Sequence, residues 1–311
     1  MKKIMKENFD LLKSRIIDVN KSTDLDNVRN QINSMEGNTI CVGVGGSKVV
    51  AEYASKVLNK IKNDIVICLE PRDINYVDLY KYNNIFLCSY SGSNSTLKLI
   101  KNNNLNKYLF TNNSDIKKGI KSIIYNNKIE KELSFISLAS TLMPMSILLR
   151  CYLNITELEF EKLIDNMFDN IDINVTGNKV YEIMYGIENK VAASYLESTL
   201  VESGISIPIM HDKYSFCHGR NTTPSKIDSG LIFIGYNNTS LDKLLIKETT
   251  PYYSEVIRID NIFEDELINE FYLTLLSMYF TRDLALIYNE DLSGILHGPI
   301  TCKVYGFSGD M

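Results

Sequence analysis

Residues Ser89–Thr96 read SYSGSNST, with four serines, a threonine, an asparagine and a glycine in eight positions. Side chains of this kind at this density can hold an anion. Ser89, Ser91, Ser93 and Ser95 offer hydroxyl donors, and Gly92 lets the backbone approach a ligand closely. The apolar run NNIFLC precedes the stretch and LKLIK, with helical spacing, follows it. A helix starting there would add unsatisfied N–H groups and the positive end of its dipole. Together these make a phosphate cradle that needs no Lys or Arg. A plain serine-rich turn with Ser95 as an N-cap is the alternative.

A second candidate is the glycine turn Gly43-Val44-Gly45-Gly46-Ser47. A dinucleotide site asks for G-x-G-x-x-G between strand and helix, with an acid about 20 residues further on. Gly43 and Gly45 fit, but Lys48 stands at the third glycine position, and Glu70 comes late, at the end of the next strand. Two readings stand beside a dinucleotide site: a second anchor for the ligand of the serine loop, or a simple strand-to-helix turn.

The surrounding pattern has to position these loops. Apolar runs predict strands at 39–44, 65–69, 85–88, 107–111 and 121–125. Helical spacing predicts one or two helices up to Glu36, then helices over 47–59, from Ser95, and over 140–153. Residues 155–170 read as an amphipathic connecting helix and 172–178 as a polar linker. A second alternation follows, with strands at 179–185, 207–211, 231–236 and 254–260 and helices at 188–203, 241–248 and 264–288. Continuously apolar strands alternating with helices imply parallel sheets covered on both faces. The repeated order of elements suggests a duplicated α/β unit.

With 311 residues, 45% of them hydrophobic and 23% charged, the chain has the balance of a globular protein of one or two domains. A net charge of −5 argues against nucleic acid or an anionic membrane as the partner. None of the six cysteines (41, 68, 88, 151, 217 and 302) stands at C-x-x-C spacing, and those in apolar runs read as reduced core residues. There is no apolar stretch of 18 residues and no signal-like N-terminus, so a cytoplasmic location is expected. No metal or cofactor is expected.

The two loops together resemble the sugar isomerase (SIS) domain family, whose signature is a strand, a serine-rich SxSG loop and a helix that hold the phosphate of a phosphosugar. The resemblance runs from about Thr39 to Lys303. It implies two tandem SIS domains, 1–154 and 155–311, each a doubly wound parallel sheet flanked by helices. Within the family the chain looks like the isomerase half of the glucosamine-6-phosphate synthases and like the fructosamine-phosphate deglycases. Carried over residue by residue, Ser89, Ser91, Gly92, Ser93 and Asn94 are phosphate contacts, with Asn94 replacing a common threonine. Gly45, Gly46 and Ser47 fall where the family contacts the sugar, and Ser140, in Leu138-Ala139-Ser140-Thr141, falls in a segment lining the same pocket.

The resemblance also implies the chemistry. The family has a helical glutamate and, 16 residues later, a His-Gly pair; Glu202 and His218-Gly219 match that separation. Glu202 would be the base, His218 would move the ring-opening proton, and Lys303 aligns with a lysine able to form an imine. Two positions depart from the pattern. Thr199 replaces a lysine one turn before the glutamate, and HGR replaces HGP, which leaves Arg220 available for an anion. His211 and His297 are further candidates around the sugar. The second half carries Tyr236–Ser240 where a serine loop would stand, so one phosphate site per chain is expected. The activity implied is that of a phosphosugar isomerase or deglycase, acting as a homodimer in which a neighbour contributes the histidine. A non-catalytic phosphosugar sensor is the alternative.

Overall fold

The structure, a computed structural model, describes residues 3–92, 104–114, 119–125, 132, 134–222, 224 and 226–294. In the first part of the chain the apolar runs become five parallel strands: β1 (Thr39–Val42), β2 (Val66–Leu69), β3 (Asn84–Cys88), β4 (Asn106–Thr111) and β5 (Lys121–Ile124). Their order is β2-β1-β3-β4-β5. Every residue of β1 and β3 is buried, as central strands covered on both faces must be. One face packs Ile40, Val42, Ile85, Leu87 and Leu109 with Ile74. Each such fully buried aliphatic side chain contributes about 1.5–3 kcal/mol.

The N-terminal segment forms three helices: α1 (Lys3–Asp10), α2 (Leu12–Ser22) and α3 (Leu25–Asn33). The expected one or two become three because Asp24 restarts the helix, its carboxylate accepting the Asn27 N–H. Then come α4 (Gly46–Ile61), α5 (Ala139–Leu153) and α6 (Glu157–Asp169). Helix α4 packs on α5 and on β1, β2 and β3. Helix α2 is pinned to α5: Asn20 Nδ2 donates to Ser146 Oγ at 2.7 Å, and Arg150 Nη1 donates to the Asn20 carbonyl at 2.8 Å.

The second part holds four parallel strands: β6 (Val180–Tyr185), β7 (Ile207–Asp212), β8 (Gly230–Tyr236) and β9 (Glu255–Asp260), in the order β7-β6-β8-β9. Helices α7 (Lys190–Ser203), α8 (Lys213–Cys217), α9 (Ser240–Thr249) and α10 (Glu266–Ile287) complete it. The described residues divide into two units: 8–132 with 137–165, and 3–7 with 134–136 and 166–294. In each sheet the first strand lies between the second and the third. The order therefore reverses at β1/β3 and at β6/β8, and open parallel sheets bind ligands beyond the strand ends at such points.

Candidate functional site

Strand β3 delivers the serine loop to the first of these switch points, beside the end of β1. The loop is tied down through its backbone. Ser89 N donates to the Phe110 carbonyl at 3.1 Å, and Thr111 Oγ1 and Asn112 N donate to the Tyr90 carbonyl at 3.1 and 3.2 Å. Asn113 Nδ2 donates to the Ser91 carbonyl at 3.0 Å. These bonds occupy main-chain groups and leave the Ser89 and Ser91 hydroxyls available for another role. Ser89 is buried and Ser91 is exposed.

Across the switch point, Gly45 has φ 58° and ψ −134°, a conformation that suits glycine alone. A Cβ on Gly46 would lie 2.6 Å from Ser137 Cβ, so only glycine lets α4 begin this close to the chain leading into α5. No side chain caps the first turn of α4. Ser47, Ser89, Tyr90 and Ser140 line one small space that is too narrow for a water molecule. The sugar-site and phosphate-site candidates Ser47, Ser89 and Ser140 thus share one neighbourhood. Lys48, at the third glycine position of the dinucleotide pattern, pairs with Glu70 at 2.5 Å, engaging the acid that pattern would need for a ribose.

Sequence reasoning missed Glu132. Its buried carboxylate accepts the N–H groups of Leu138 (3.0 Å), Ala139 (2.7 Å) and Ser140 (3.1 Å), and the Ser140 hydroxyl also donates to it. The start of α5 therefore already holds a negative charge. Glu132 stands six residues before the N-cap Leu138, outside any local capping pattern. Burial raises the Tyr90 phenol above its ordinary pKa and the Glu132 charge acts the same way, while an Asn112 hydrogen bond and the Arg15 charge oppose them.

Glu202 and His218 belong to the other unit. Glu202 is in the last turn of α7, where its carboxylate accepts the Ser198 hydroxyl at 3.0 Å. Its side chain reaches solvent, yet the protein packed around the carboxyl raises its pKa; the Ser198 bond opposes this and the Glu197 charge adds to it. His218 is exposed and caps the end of α8. No hydrogen bond or ion pair joins it to Glu202 among the described residues. Arg220 is exposed and donates to the Met210 carbonyl at 3.2 Å. Thr199, at the position of the family's lysine, is buried against Thr281, their hydroxyls 3.0 Å apart. Ser93, Asn94, His297 and Lys303 lie outside the described residues.

The second switch point is filled from within. Glu270, fully buried on α10, accepts the Ala192 N–H at the start of α7 at 2.9 Å. Asp242 accepts the Asn237 and Thr239 N–H groups at 2.9 and 3.4 Å and lies 2.9 Å from the buried Lys213 ammonium. Thr239 and Asp242 form a capping box on α9. Carboxylates of the chain thus stand at both helix starts where an external anion would sit.

No protein-family model and no curated protein matches the chain. Solved structures do match it along nearly its whole length. Glucosamine-6-phosphate deaminase from Thermotoga maritima aligns with a TM-score of 0.74 at 12% identity, over 94% of this chain and 97% of that one. Tagatose-6-phosphate ketose/aldose isomerase from Escherichia coli gives 0.71 at 13% identity, over 95% and 96%. The C-terminal domain of glucosamine-fructose-6-phosphate aminotransferase from Francisella tularensis gives 0.68 at 13%, over 94% and 98%. The chain shares their fold: parallel α/β sheets flanked by helices.

His211 has a different place from the one expected around a sugar. It is 2% exposed, and its Nε2 lies 2.8 Å from Glu182, which is fully buried on the central strand β6. Ser229 and Tyr253 also donate to Glu182, at 3.1 and 3.0 Å. Burial drives the Tyr253 phenol far up, and the Glu182 charge adds to it. These contacts satisfy a carboxylate in the core, and the pattern of the sequence did not signal it. Among the described residues no cluster of metal-ligating side chains occurs, and no helix is long and apolar enough to cross a membrane.

Proposed function

We propose that the chain is a tandem SIS protein that binds a phosphosugar at the serine loop of its first unit and isomerises or deglycates it through an enediol. The carrying observation is the meeting of Ser47, Ser89, Tyr90 and Ser140 at the β1/β3 switch point, beside an uncapped helix start. The shared fold with enzymes named for sugar phosphates supports the same ligand class. Glu270, Asp242 and Lys213 at the second switch point support the reading of one phosphate site per chain.

The phosphate held by Ser89, Ser91 and their neighbours Ser93 and Asn94 orients the sugar, which lowers the barrier by fixing the reacting carbons. Glu202 removes the proton from one carbon of the C1–C2 pair and returns it to the other. Its raised pKa makes it a stronger base than an ordinary carboxylate. His218 moves the ring-opening proton, a task suited to imidazole near neutrality. Arg220 is a candidate contact for a second polar group, and Lys303 for the carbonyl. We assign His218 to the Glu202 of a neighbouring copy in a homodimer.

The test is a thermal-shift screen against hexose and amino-sugar phosphates, followed by proton exchange at C1 and C2 in heavy water. Ser91→Ala should lose the shift. Glu202→Gln should keep it and lose exchange. A wild-type protein that responds to no phosphorylated sugar would overturn the reading. A binding-only sensor is the second reading, favoured by Thr199 in place of the lysine; any turnover excludes it.

A further inference from the structure

The serine and glycine loops alone give an anion cradle built from hydroxyls and amides. The structure adds a cation from a helix that sequence reasoning left out of the site. Arg15 lies on α2, three residues after Leu12 and next to Ile16, at the edge of that helix's buried face. Its Nη1 is shut off from water and has no hydrogen-bond partner among the described residues. A buried charged donor without an acceptor is costly, and folded proteins rarely leave one so.

The helix directions place it. Lys13 pairs with Asp165 and Lys21 with Glu161, so α2 and α6 run in opposite directions. Past Asn20 the chain advances towards the C-terminal end of α5, where Arg29 Nη2 donates to the Arg150 carbonyl at 3.0 Å. Helices α2 and α5 therefore run in the same direction, with Asn20 level with Ser146. Five residues back along α2 is Arg15, and five to six back along α5 are Thr141 and Ser140. Arg15 is thus level with the first turn of α5, where Ser140 shares its space with Ser47, Ser89 and Tyr90. The Arg15 charge is also felt at the Tyr90 phenol, opposite in sign to that of Glu132. Glu132 keeps its own partners at the start of α5 and forms no ion pair with Arg15.

We propose that Arg15 is the cationic contact of the anion site at the serine loop, and that the group it meets is the phosphate of a sugar monoester. The assignment rests on the phosphosugar reading above. A guanidinium suits the task because its planar fork matches phosphate oxygens and it stays charged when dehydrated. The free protein holds the donor in place, and the ligand supplies the acceptor.

The experiment is titration calorimetry of the full chain with glucose 6-phosphate, fructose 6-phosphate, glucosamine 6-phosphate and inorganic phosphate. The wild type is compared with Arg15→Met, Arg15→Lys and Ser91→Ala, each also melted without ligand. Arg15→Met should weaken the phosphorylated ligands about 10- to 100-fold. Arg15→Lys, which keeps the charge, should lose about tenfold or less. Ligand-free Arg15→Met should melt no lower than wild type, because the donor it removes has no partner to lose. If Ser91→Ala weakens binding while Arg15→Met binds as wild type does, the Arg15 assignment falls and the phosphosugar reading stands. If the wild type binds none of the phosphorylated ligands, both fall. A ligand-free Arg15→Met protein melting more than about 5 °C below wild type, beyond the roughly 2–4 °C that about 1 kcal/mol gives, would mark the side chain as structural and overturn the proposal.

Discussion

Replacing Lys213 with methionine tests whether the second switch point is closed by the chain's own charges. The Lys213 ammonium is 2.9 Å from Asp242 and donates to the Gly235 carbonyl at 3.3 Å, and the two side chains are 6% and 1% exposed. Methionine keeps most of the apolar stem and deletes the charge, which also lies over the Phe233 ring at 4.9 Å from its centroid. Breaking a buried pair from one side costs about 3–5 kcal/mol. Two backbone N–H groups stay on the Asp242 carboxylate, so the lower end, about 3 kcal/mol, is expected. That corresponds to a fall of about 6–12 °C in melting temperature for a unit of this size. Lys213→Met/Asp242→Asn removes both charges and should recover about 1–2 kcal/mol of the loss. Urea unfolding of the full chain, followed by circular dichroism, measures all three proteins. The pH dependence gives a second handle. Burial pushes the Asp242 carboxyl up, but Lys213, the Asn237 amide and Thr239 together hold it below its usual value. A depressed folded-state pKa gives stability that is present above the unfolded value, about 3.9, and lost as pH falls through the folded value. The gap between wild type and double variant should therefore close below about pH 4. A Lys213→Met protein within about 1 kcal/mol of wild type, or a double variant less stable than the single one, would mean that the Lys213–Asp242 pair does not close this switch point.

Glu132→Gln should destabilise its own unit by about 1–2 kcal/mol, because one amide oxygen replaces two carboxylate oxygens that accept three N–H groups and a hydroxyl; unchanged urea unfolding would show that these bonds do not hold α5. Alkylation of the native protein with peptide mapping should label exposed Cys217 well before Cys41 and Cys88, whose thiols are buried and raised far above their ordinary pKa. Equal labelling rates at the three sites would contradict that burial. Proton exchange at the sugar carbons should rise with pH through the raised pKa of Glu202, so its midpoint should lie above the ordinary glutamate value of about 4.3. A Glu202→Gln protein with the wild-type profile would remove Glu202 from the base role.

Every described strand was legible, with ends shifted by a residue or two, and the central ones, buried on both faces, read as unbroken apolar runs. Helix α8 was not, since five residues carry no period; it exists because Asp212, at the end of β7, caps it through the Tyr214 and Ser215 N–H groups. The third N-terminal helix had a local signal in Asp24, and sequence reasoning passed over it. In the candidate site, the two loops declared themselves by composition and by position after strands. Glu132, Glu182, Glu270 and Arg15 did not. Glu182 finds its partners 29, 47 and 71 residues away, and Glu270 finds its own 78 away. Only the fold brings such groups together, so no local pattern marks a buried charge as satisfied or as waiting.

The two switch points also differ in what they need from the cell. The one at β6/β8 is complete as folded. The one at β1/β3 keeps an uncapped helix start and a guanidinium N–H without an acceptor. On the phosphosugar reading, ligand at 100 times its dissociation constant adds about 2.7 kcal/mol to the stability of the folded protein. Proteases sample chains through their opened states, and the ligand suppresses opening of the unit whose serine loop holds its phosphate. Lifetime of the protein would then follow supply of its ligand: scarcity shortens it, plenty preserves it, and the amount of protein tracks the compound it handles without a separate regulator.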